Sequence, residues 1–261
     1  MAGIKIGLQL YSLREAFADQ PEATLKSIAE MGYAGVELTS TMIPDEEAAR
    51  FCRGALARTR LSCFGCLTSW SDVQPAAIEE TIARNRILGS PFIIIGSVPV
   101  TQVATRREAE AAIAYMGEVG DIMSREGFLT GYHNHDTDLF HKLDGKTFFE
   151  MVFDNTATDF IMLLDTGNTL AAGYDPVALL NRYPGRSSFL HLKGYSREKG
   201  YLAYIGDDDQ DWPLLLRSAA DTGRTRTASV EFGKRGDYDP FERALTSLQR
   251  LEQYLAQEGL S

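Results

Sequence analysis

Eight short apolar runs alternate with eight stretches of helical spacing, and this alternation constrains the fold more than any other feature of the chain. The apolar runs lie at 4–10, 34–38, 61–67, 91–95, 128–130, 160–164, 187–192 and 227–232. Strands that alternate with helices in this way are parallel and are joined by right-handed crossovers. Eight such units within 261 residues match the size of a (β/α)8 barrel, so we predict a single α/β domain of this type over residues 1–261.

Helical spacing between the apolar runs predicts the helices that surround the barrel. The expected ranges are 21–31, 45–58, 75–88, 105–125, 145–153, a helix starting at 175, 211–221 and 239–257. Gly32, Gly89 and Gly127 are expected to end the helices before them. A doubly wound open sheet is the alternative, but no Gly-x-Gly-x-x-Gly turn follows the first strand, which favours the barrel.

The formal net charge of −10 and a pI of about 5.0 narrow the range of partners. An acidic chain is repelled by nucleic acids and by anionic membranes, so we expect neither as a partner. No stretch has the roughly 20 apolar residues of a membrane span, and the first apolar run is too short for a signal peptide. We therefore expect a cytoplasmic protein that binds a small molecule.

The cysteines and an acidic run carry weaker signals. Cys52, Cys63 and Cys66 are an odd number of cysteines, which disfavours a disulfide framework or a structural zinc site. The Cys-x-x-Cys pair at 63–66 lies on a predicted strand, whereas redox pairs usually open a helix, so we predict buried apolar thiols.

The acidic run at 207–211 lacks the glycine and glutamate of a helix-loop-helix Ca²⁺ site, and we predict a solvated loop.

Four consecutive predicted strands, the fifth to the eighth, end in side chains that can bind a metal. These side chains are His133, Asp165, His191 and Glu231. Because the carboxyl ends of barrel strands meet at one mouth, we expect the four to lie close together there. Two imidazoles and two carboxylates suit Mn²⁺, Zn²⁺, Co²⁺ or Fe²⁺, with one coordination position open for substrate or water.

Each of these residues also has a purely structural interpretation. A histidine at a strand end is commonly a hydrogen-bonded structural residue, and Asp165 can cap the turn that follows it. Glu231 can pair with Lys234 or Arg235. The metal site is favoured because all four residues occupy the same position relative to successive strands.

A divalent ion at this mouth indicates chemistry beside a carbonyl group. An ion bound to a carbonyl oxygen and the neighbouring hydroxyl acidifies the adjacent C–H and stabilises the enediolate that forms when the proton leaves. Glu231 is the first candidate for the base and His135 the second, since neutral imidazole accepts protons near pH 7. Lys193 points to the same side of its strand as His191. It either holds an anionic oxygen or pairs with a carboxylate of the mouth.

Four segments carry motifs: QLYSLR at 9–14, GYAGVEL at 32–38, GYHNHD at 131–136 and HLK at 191–193. Together they resemble the sugar phosphate isomerase/epimerase family, the xylose isomerase-like TIM barrels. The resemblance covers essentially the whole chain and implies an enzyme that isomerises or epimerises a sugar or keto-sugar. It also implies one divalent ion, in many members Mn²⁺, held by Glu, Asp, His and Glu at the ends of strands five to eight.

The chain departs from the family pattern at two positions. Asp165, His191 and Glu231 match the last three ligands, whereas His133 stands where the family has its first glutamate. Proton exchange between two metal-bound glutamates, which the resemblance implies for epimerases, therefore lacks one partner. Asn168 stands where many relatives have histidine. Its amide can donate to a substrate hydroxyl but relays no proton at neutral pH.

Further side chains near strand ends are candidates for substrate contacts. Glu37 can bind hydroxyl groups or orient a neighbour, and Tyr11, Trp70 and Phe64 can form an apolar wall on which a sugar ring stacks. Aromatic residues at such positions are more often part of the core, which is the alternative for all three. No arginine cluster or glycine-rich turn marks a phosphate pocket, so an unphosphorylated substrate is favoured.

Other functions stay open at this point. The first half-reaction is shared by a lyase or hydratase acting on keto-sugars or keto-glycosides. A non-catalytic sugar-binding barrel is a further alternative, although binding alone does not require these residue types on adjacent strands. DNA endonucleases on the same barrel need more metal ligands and a basic surface. Barrels of this kind commonly form homo-oligomers, but the sequence shows no interface stripe.

Overall fold

The eight predicted strands are present and pair in parallel. The structure is a computed structural model that describes residues 3–233 and 238–260. The strands are β1 Lys5–Gln9, β2 Gly35–Thr39, β3 Ser62–Thr68, β4 Phe92–Ile95, β5 Leu129–His133, β6 Ile161–Leu163, β7 Phe189–Leu192 and β8 Thr227–Val230. They lie in the order β6-β5-β4-β3-β2-β1-β8-β7, and an isolated parallel bridge between Asp165 and His191 joins the two end strands. This is the single (β/α)8 barrel that the sequence predicts.

Helices connect the strands on the outside of the barrel. They cover Arg14–Asp19, Pro21–Met31, Glu46–Thr59, Ile78–Leu88, Arg106–Arg125, Asp136–Phe140, Phe148–Asn155, Thr166–Ala171, Pro176–Arg182, Trp212–Ser218 and Pro240–Gln257. Thr105 and Glu108 form a capping box at the start of the longest helix. Gly32 ends its helix in the left-handed conformation that the sequence predicts there, with a φ of 104°. Within the described ranges, none of these helices combines the length and apolar character that crossing a membrane requires.

Some elements are not predicted by helical spacing. Short helices follow three strands at the mouth: Arg14–Asp19, Asp136–Phe140 and Thr166–Ala171. Each has at most six residues, which is too few to show a periodic pattern. The predicted helix at 145–153 is wrong at its start. Asp144 and Gly145 have positive φ angles and form the turn of a small hairpin, so the helix begins at Phe148, after its capping residue Thr147.

An apolar cluster fills the barrel interior before the strands reach the mouth. It consists of Phe64, Phe92, Ile94, Ile161, Leu163 and Phe189. The ring of Phe64 lies between Gly7 and Gly35, where an added Cβ atom would approach the ring to 2.6 and 2.5 Å. Only glycine fits at these two positions. Because strand side chains alternate, the inward positions that follow this cluster reach the mouth, and there they are polar.

The three cysteines have the environment predicted for apolar thiols. All are free, Cys52 and Cys66 are buried, and Cys63 is partly buried. Burial raises the pKa of Cys52 to about 11 and that of Cys63 to about 12. Thiols with such pKa values are protonated at neutral pH, as expected of the apolar thiols that the sequence predicts.

The acidic run after β7 is more structured than the predicted solvated loop. Asp207 pairs with Arg250 at 2.8 Å, and Asp211 caps the following helix. Asp208 is partly buried, and its Oδ1 accepts a hydrogen bond from Nε1 of Trp212 at 2.8 Å. Burial raises the pKa of Asp208 to about 6, against the lowering effect of its hydrogen bonds.

Candidate metal centre at the barrel mouth

The four predicted metal ligands meet at the mouth of the barrel. His133 is the last residue of β5, His191 lies in β7, and Asp165 and Glu231 follow β6 and β8. Each offers a ligand atom, and these four atoms lie within 4.8 Å of one another. His133, Asp165 and His191 are buried, and the side chain of Glu231 is 12% exposed. The alternative in which Glu231 pairs with Lys234 or Arg235 concerns residues outside the described ranges.

The distances within this cluster fit a common central ion. Nε2 of His133 lies 3.6 Å from Oδ2 of Asp165 and 3.9 Å from Oε2 of Glu231. Nδ1 of His191 lies 2.8 Å from the same Oε2. Ligand atoms bound at about 2.0–2.2 Å to one ion lie roughly 3–3.6 Å from each other, which is close to the observed spacing.

Buried polar atoms without a hydrogen-bond partner provide a second test of whether the four side chains fit a metal ion. Both ring nitrogens of His133, Nδ1 of His191 and Oε2 of Glu231 are buried without a hydrogen-bond partner among residues 3–233 and 238–260. The 2.8 Å contact between His191 and Glu231 is thus close but not aligned as a hydrogen bond. Buried polar atoms are rarely left unpaired. The donor set therefore suits a divalent cation placed between these atoms.

The second ring nitrogen of His191 faces Glu37. Nε2 of His191 lies 2.6 Å from Oε2 of Glu37, and both side chains are fully buried. Burial alone would lower the pKa of His191, but the carboxylates of Glu37 and Glu231 raise it to about 10. Of the two roles predicted for Glu37, binding substrate hydroxyls or orienting a neighbour, this placement matches the second.

Lys193 lies between two carboxylates of the cluster. Its Nζ is 2.9 Å from Oε1 of Glu231 and 3.3 Å from Oδ2 of Asp165. It is also 5.3 Å from the ring centre of Tyr201, in the loop after β7. Burial alone would raise the pKa of both carboxyls. The positive charge of Lys193 outweighs this effect, so the pKa of Asp165 lies below its usual range and that of Glu231 lies well below its usual range. Of the two roles predicted for Lys193, holding an anionic oxygen or pairing with a carboxylate of the mouth, the structure contains the second.

His135 is the exposed imidazole beside this cluster. Its ring centre lies 5.0 Å from that of His133, with the planes at 85°. Its backbone N–H donates to Oδ2 of Asp138 at 2.7 Å. Partial desolvation and the neighbouring His133 lower the pKa of His135 to about 4, so the ring is neutral at pH 7. The side chain can exchange protons with solvent and with a ligand at the mouth.

Two buried asparagines are hydrogen-bonded to the backbone around Asp165 and to each other. Oδ1 of Asn134 accepts a hydrogen bond from the backbone N–H of Asp165 at 2.8 Å. Nδ2 of Asn168, predicted to contact substrate, instead donates to the carbonyl oxygen of Asn134 at 3.0 Å, and Asn168 is only 4% exposed. Sequence reasoning assigned no role to Asn134. Its place between two histidines at a strand end was the available signal.

Of the three aromatic candidates for a sugar-stacking wall, Phe64 is buried in the apolar cluster of the barrel interior, and the other two have partners of their own. Trp70 is 7% exposed, donates from Nε1 to Oε1 of Gln102 at 2.5 Å and packs edge-on against Tyr115. Tyr11 is 46% exposed, with the guanidinium of Arg14 at 4.3 Å from its ring centre. Of the two, only Tyr11 presents a face that is accessible to solvent.

Comparison with known proteins supports the fold. No protein-family model matches the chain, and no curated protein sequence matches it. Among solved structures, a sugar phosphate isomerase/epimerase from Parabacteroides distasonis ATCC 8503 is similar over 97% of this chain and 96% of its own, with 21% identity and a TM-score of 0.79.

Two further structures are similar at comparable coverage. A xylose isomerase domain protein from Alicyclobacillus acidocaldarius shares 16% identity over 98% of this chain and 99% of its own, with a TM-score of 0.74. An L-ribulose 3-epimerase shares 14% identity over 99% of this chain and 96% of its own, with a TM-score of 0.73. The resemblance inferred from the motifs is therefore confirmed at the level of the fold, and the chain adopts the barrel of xylose isomerase-like proteins.

Proposed function

We propose that this protein is a divalent-metal-dependent isomerase or epimerase acting on a sugar or keto-sugar. The observation that carries the proposal is the convergence of His133, Asp165, His191 and Glu231 at the mouth, with ligand atoms within 4.8 Å. The sugar isomerases and epimerases among the similar structures support the same class. The acidic charge of the chain is consistent with a neutral small-molecule substrate.

The four side chains would hold one ion through two nitrogen and two oxygen atoms. Such a mixed set suits Mn²⁺, Zn²⁺, Co²⁺ or Fe²⁺ better than Mg²⁺ or Ca²⁺, which favour oxygen ligands. When bound, the ion would polarise a substrate carbonyl and stabilise the negative charge left on the oxygen after a neighbouring proton departs.

The residues of the chain provide the groups that move the proton. Glu231 is the proposed base, because Lys193 keeps its carboxylate ionised and holds Oε1 at 2.9 Å. His135 is neutral at pH 7 and is exposed at the same mouth, so it is the second candidate for the base, and the base that takes the proton also returns it. Tyr11 is the exposed aromatic side chain on which a sugar could stack.

The presence of a single glutamate in the cluster favours a second candidate. With His133 in the first ligand position, the cluster has one glutamate, Glu231, so proton exchange between two glutamates lacks a partner. A lyase or hydratase acting on a keto-sugar or keto-glycoside shares the first proton abstraction with the isomerase and needs only this one carboxylate, because protonated Glu231 can pass its proton to the departing oxygen.

Solvent deuterium exchange tests the proposal. The protein is loaded with Mn²⁺, Zn²⁺, Co²⁺ or Fe²⁺ and incubated in D₂O with unphosphorylated keto-sugars, and deuterium at the carbon beside the carbonyl is followed by NMR. We expect exchange by the wild type and a loss of about 10²-fold or more in His135→Gln or Glu231→Gln. Glu242→Gln, on an exposed helix surface, is the matched control and should exchange normally. Metal-loaded wild type that exchanges no substrate proton would contradict the proposal and favour a sugar-binding barrel.

A further inference from the structure

Glu37 reaches across the barrel to a proposed metal ligand. It lies in β2, and in the sheet order β1 and β8 separate this strand from β7, which carries His191. Oε2 of Glu37 is nevertheless 2.6 Å from Nε2 of His191, and neither side chain is exposed to solvent. The contact joins two strands that are not neighbours in the barrel wall, and it ends on a side chain of the candidate metal cluster.

The stability of the fold does not explain a carboxylate at this position. Removing a carboxylate from water costs several kcal/mol, and Oε1 of Glu37 is buried without a hydrogen-bond partner in the described part of the chain. Apolar side chains of similar volume commonly replace buried ion pairs without loss of stability. The surrounding interior is rich in apolar side chains such as Phe64 and Phe189. The carboxylate of Glu37 therefore serves its partner, His191.

The orientation of His191 shows what the contact achieves. With Nε2 directed at Glu37, Nδ1 faces the cluster, where it lies 2.8 Å from Oε2 of Glu231 and has no aligned hydrogen bond. A histidine that donates one N–H to a carboxylate presents the lone pair of its other nitrogen. Metal coordination requires Nδ1 to lose its proton, and the lone pair then faces the place where the ligand atoms of His133 and Asp165 also converge.

We propose that Glu37 is a positioning residue that fixes His191 with Nε2 protonated and Nδ1 free to bind the metal ion. The proposal deepens the metal-dependent function proposed above and rests on it. Carboxylates that orient a ligating histidine typically contribute a factor of about 10 to 100 to metal affinity. Glu37 would thus act through His191, without contact to the substrate.

A metal-binding measurement tests this role. Tag-free protein is titrated with Zn²⁺ in competition with a chromophoric chelator, for the wild type, Glu37→Gln and Asp72→Asn. The control Asp72 is a partly buried carboxylate in the loop after β3 that interacts with Ser69 and Arg84. We expect about 10- to 100-fold weaker binding by Glu37→Gln and unchanged affinity in Asp72→Asn. Equal affinity of Glu37→Gln and wild type would overturn the inference while leaving the metal site intact.

A second measurement uses the wild type alone and decides the question even if Glu37→Gln fails to fold. In nitrogen-15 spectra of the Zn²⁺-loaded protein, His191 should show Nδ1 coordinated and Nε2 protonated. Coordination through Nε2 would overturn the inference. A wild type that binds no ion would overturn the proposed metal site together with this inference, so the two failures are distinguishable.

Discussion

Asp165 and His191 form the parallel bridge that closes the barrel, and the same two residues contribute ligand atoms to the candidate metal centre. The backbone N–H of His191 donates to the carbonyl oxygen of Leu164 at 3.0 Å across this seam. Neighbouring strand pairs elsewhere have three or more residue pairs in register. The seam is thus the part of the sheet with the least backbone pairing, and an ion would link its two sides.

Metal binding should stabilise this seam. An ion present at 100 times its dissociation constant adds about 2.7 kcal/mol to the free energy of unfolding. We expect a higher melting temperature with Mn²⁺ or Zn²⁺, and slower hydrogen exchange at the amides of Asp165 and His191 than in the metal-free protein. Amides of β3, on the far side of the barrel, should change less. Saturating metal that leaves exchange at the seam unchanged would contradict this account.

Asn134 should matter for stability as well as for the site. In Asn134→Ala the N–H of Asp165 loses its acceptor at 2.8 Å, and a buried unpaired donor costs about 1–3 kcal/mol. We expect a loss of this size in the free energy of urea unfolding. The control Asn155→Ala removes an exposed amide bonded to the carbonyl of Met151 and should change stability by about 0.5 kcal/mol or less. Equal losses in both variants would show that Asn134 has no special role.

Lys193 should contribute most to the stability of the fold when no metal is bound. Lys193→Met leaves the carboxylates of Asp165 and Glu231 without their shared cation, and breaking a buried ion pair costs about 3–5 kcal/mol. Urea unfolding should show this loss in metal-free protein and a partial recovery with Mn²⁺. Lys146→Met breaks an exposed pair with Asp154 and should cost about 1 kcal/mol or less. A loss in Lys193→Met that Mn²⁺ does not reduce would argue against the shared site.

Asp208 should make stability depend on pH. Its pKa is raised from 3.8 to about 6 in the folded protein because the carboxyl is buried beside Trp212. The folded state then binds a proton more tightly than the unfolded state, so this contribution is complete below pH 4 and is lost as the pH rises to about 6. We expect Asp208→Asn to remove that part of the pH dependence, measured as urea midpoints at pH 4.5 and 7. Identical pH profiles for wild type and variant would contradict the assignment.

The sequence was sufficient for the barrel because its strands are distinct. A continuous apolar run such as Phe92–Ile95 indicates a parallel strand buried on both faces, and all four of its residues are buried. The strand-end position of Asp165 or Glu231 is likewise readable, since the barrel brings all carboxyl ends together. The hairpin turn at Asp144 could not be predicted from the sequence. The apolar spacing there is typical of a helix, but the chain forms a local turn in place of the first helical turn.

The contacts that organise the site were beyond sequence reasoning. Glu37 and His191 are 154 positions apart, and no spacing rule indicates which nitrogen of an imidazole faces which carboxylate. The placement of Asn168 also depends on packing, because its amide could equally have faced the mouth. In physical terms, the strand pattern determines which residues reach the mouth, and side-chain packing determines what each of them contacts there.

Metal content is the measurement that tests the central claim most directly. Tag-free wild type, His191→Ala and His141→Ala are analysed for bound metals, before and after soaking with Mn²⁺, Zn²⁺, Co²⁺ or Fe²⁺ and removal of free ions. His141 is the matched control, since its Nε2 pairs with the carbonyl oxygen of Val103 away from the cluster. We expect about one equivalent of metal in the wild type and in His141→Ala, and almost none in His191→Ala. A wild type that retains none of these ions would contradict the metal centre and the function proposed from it.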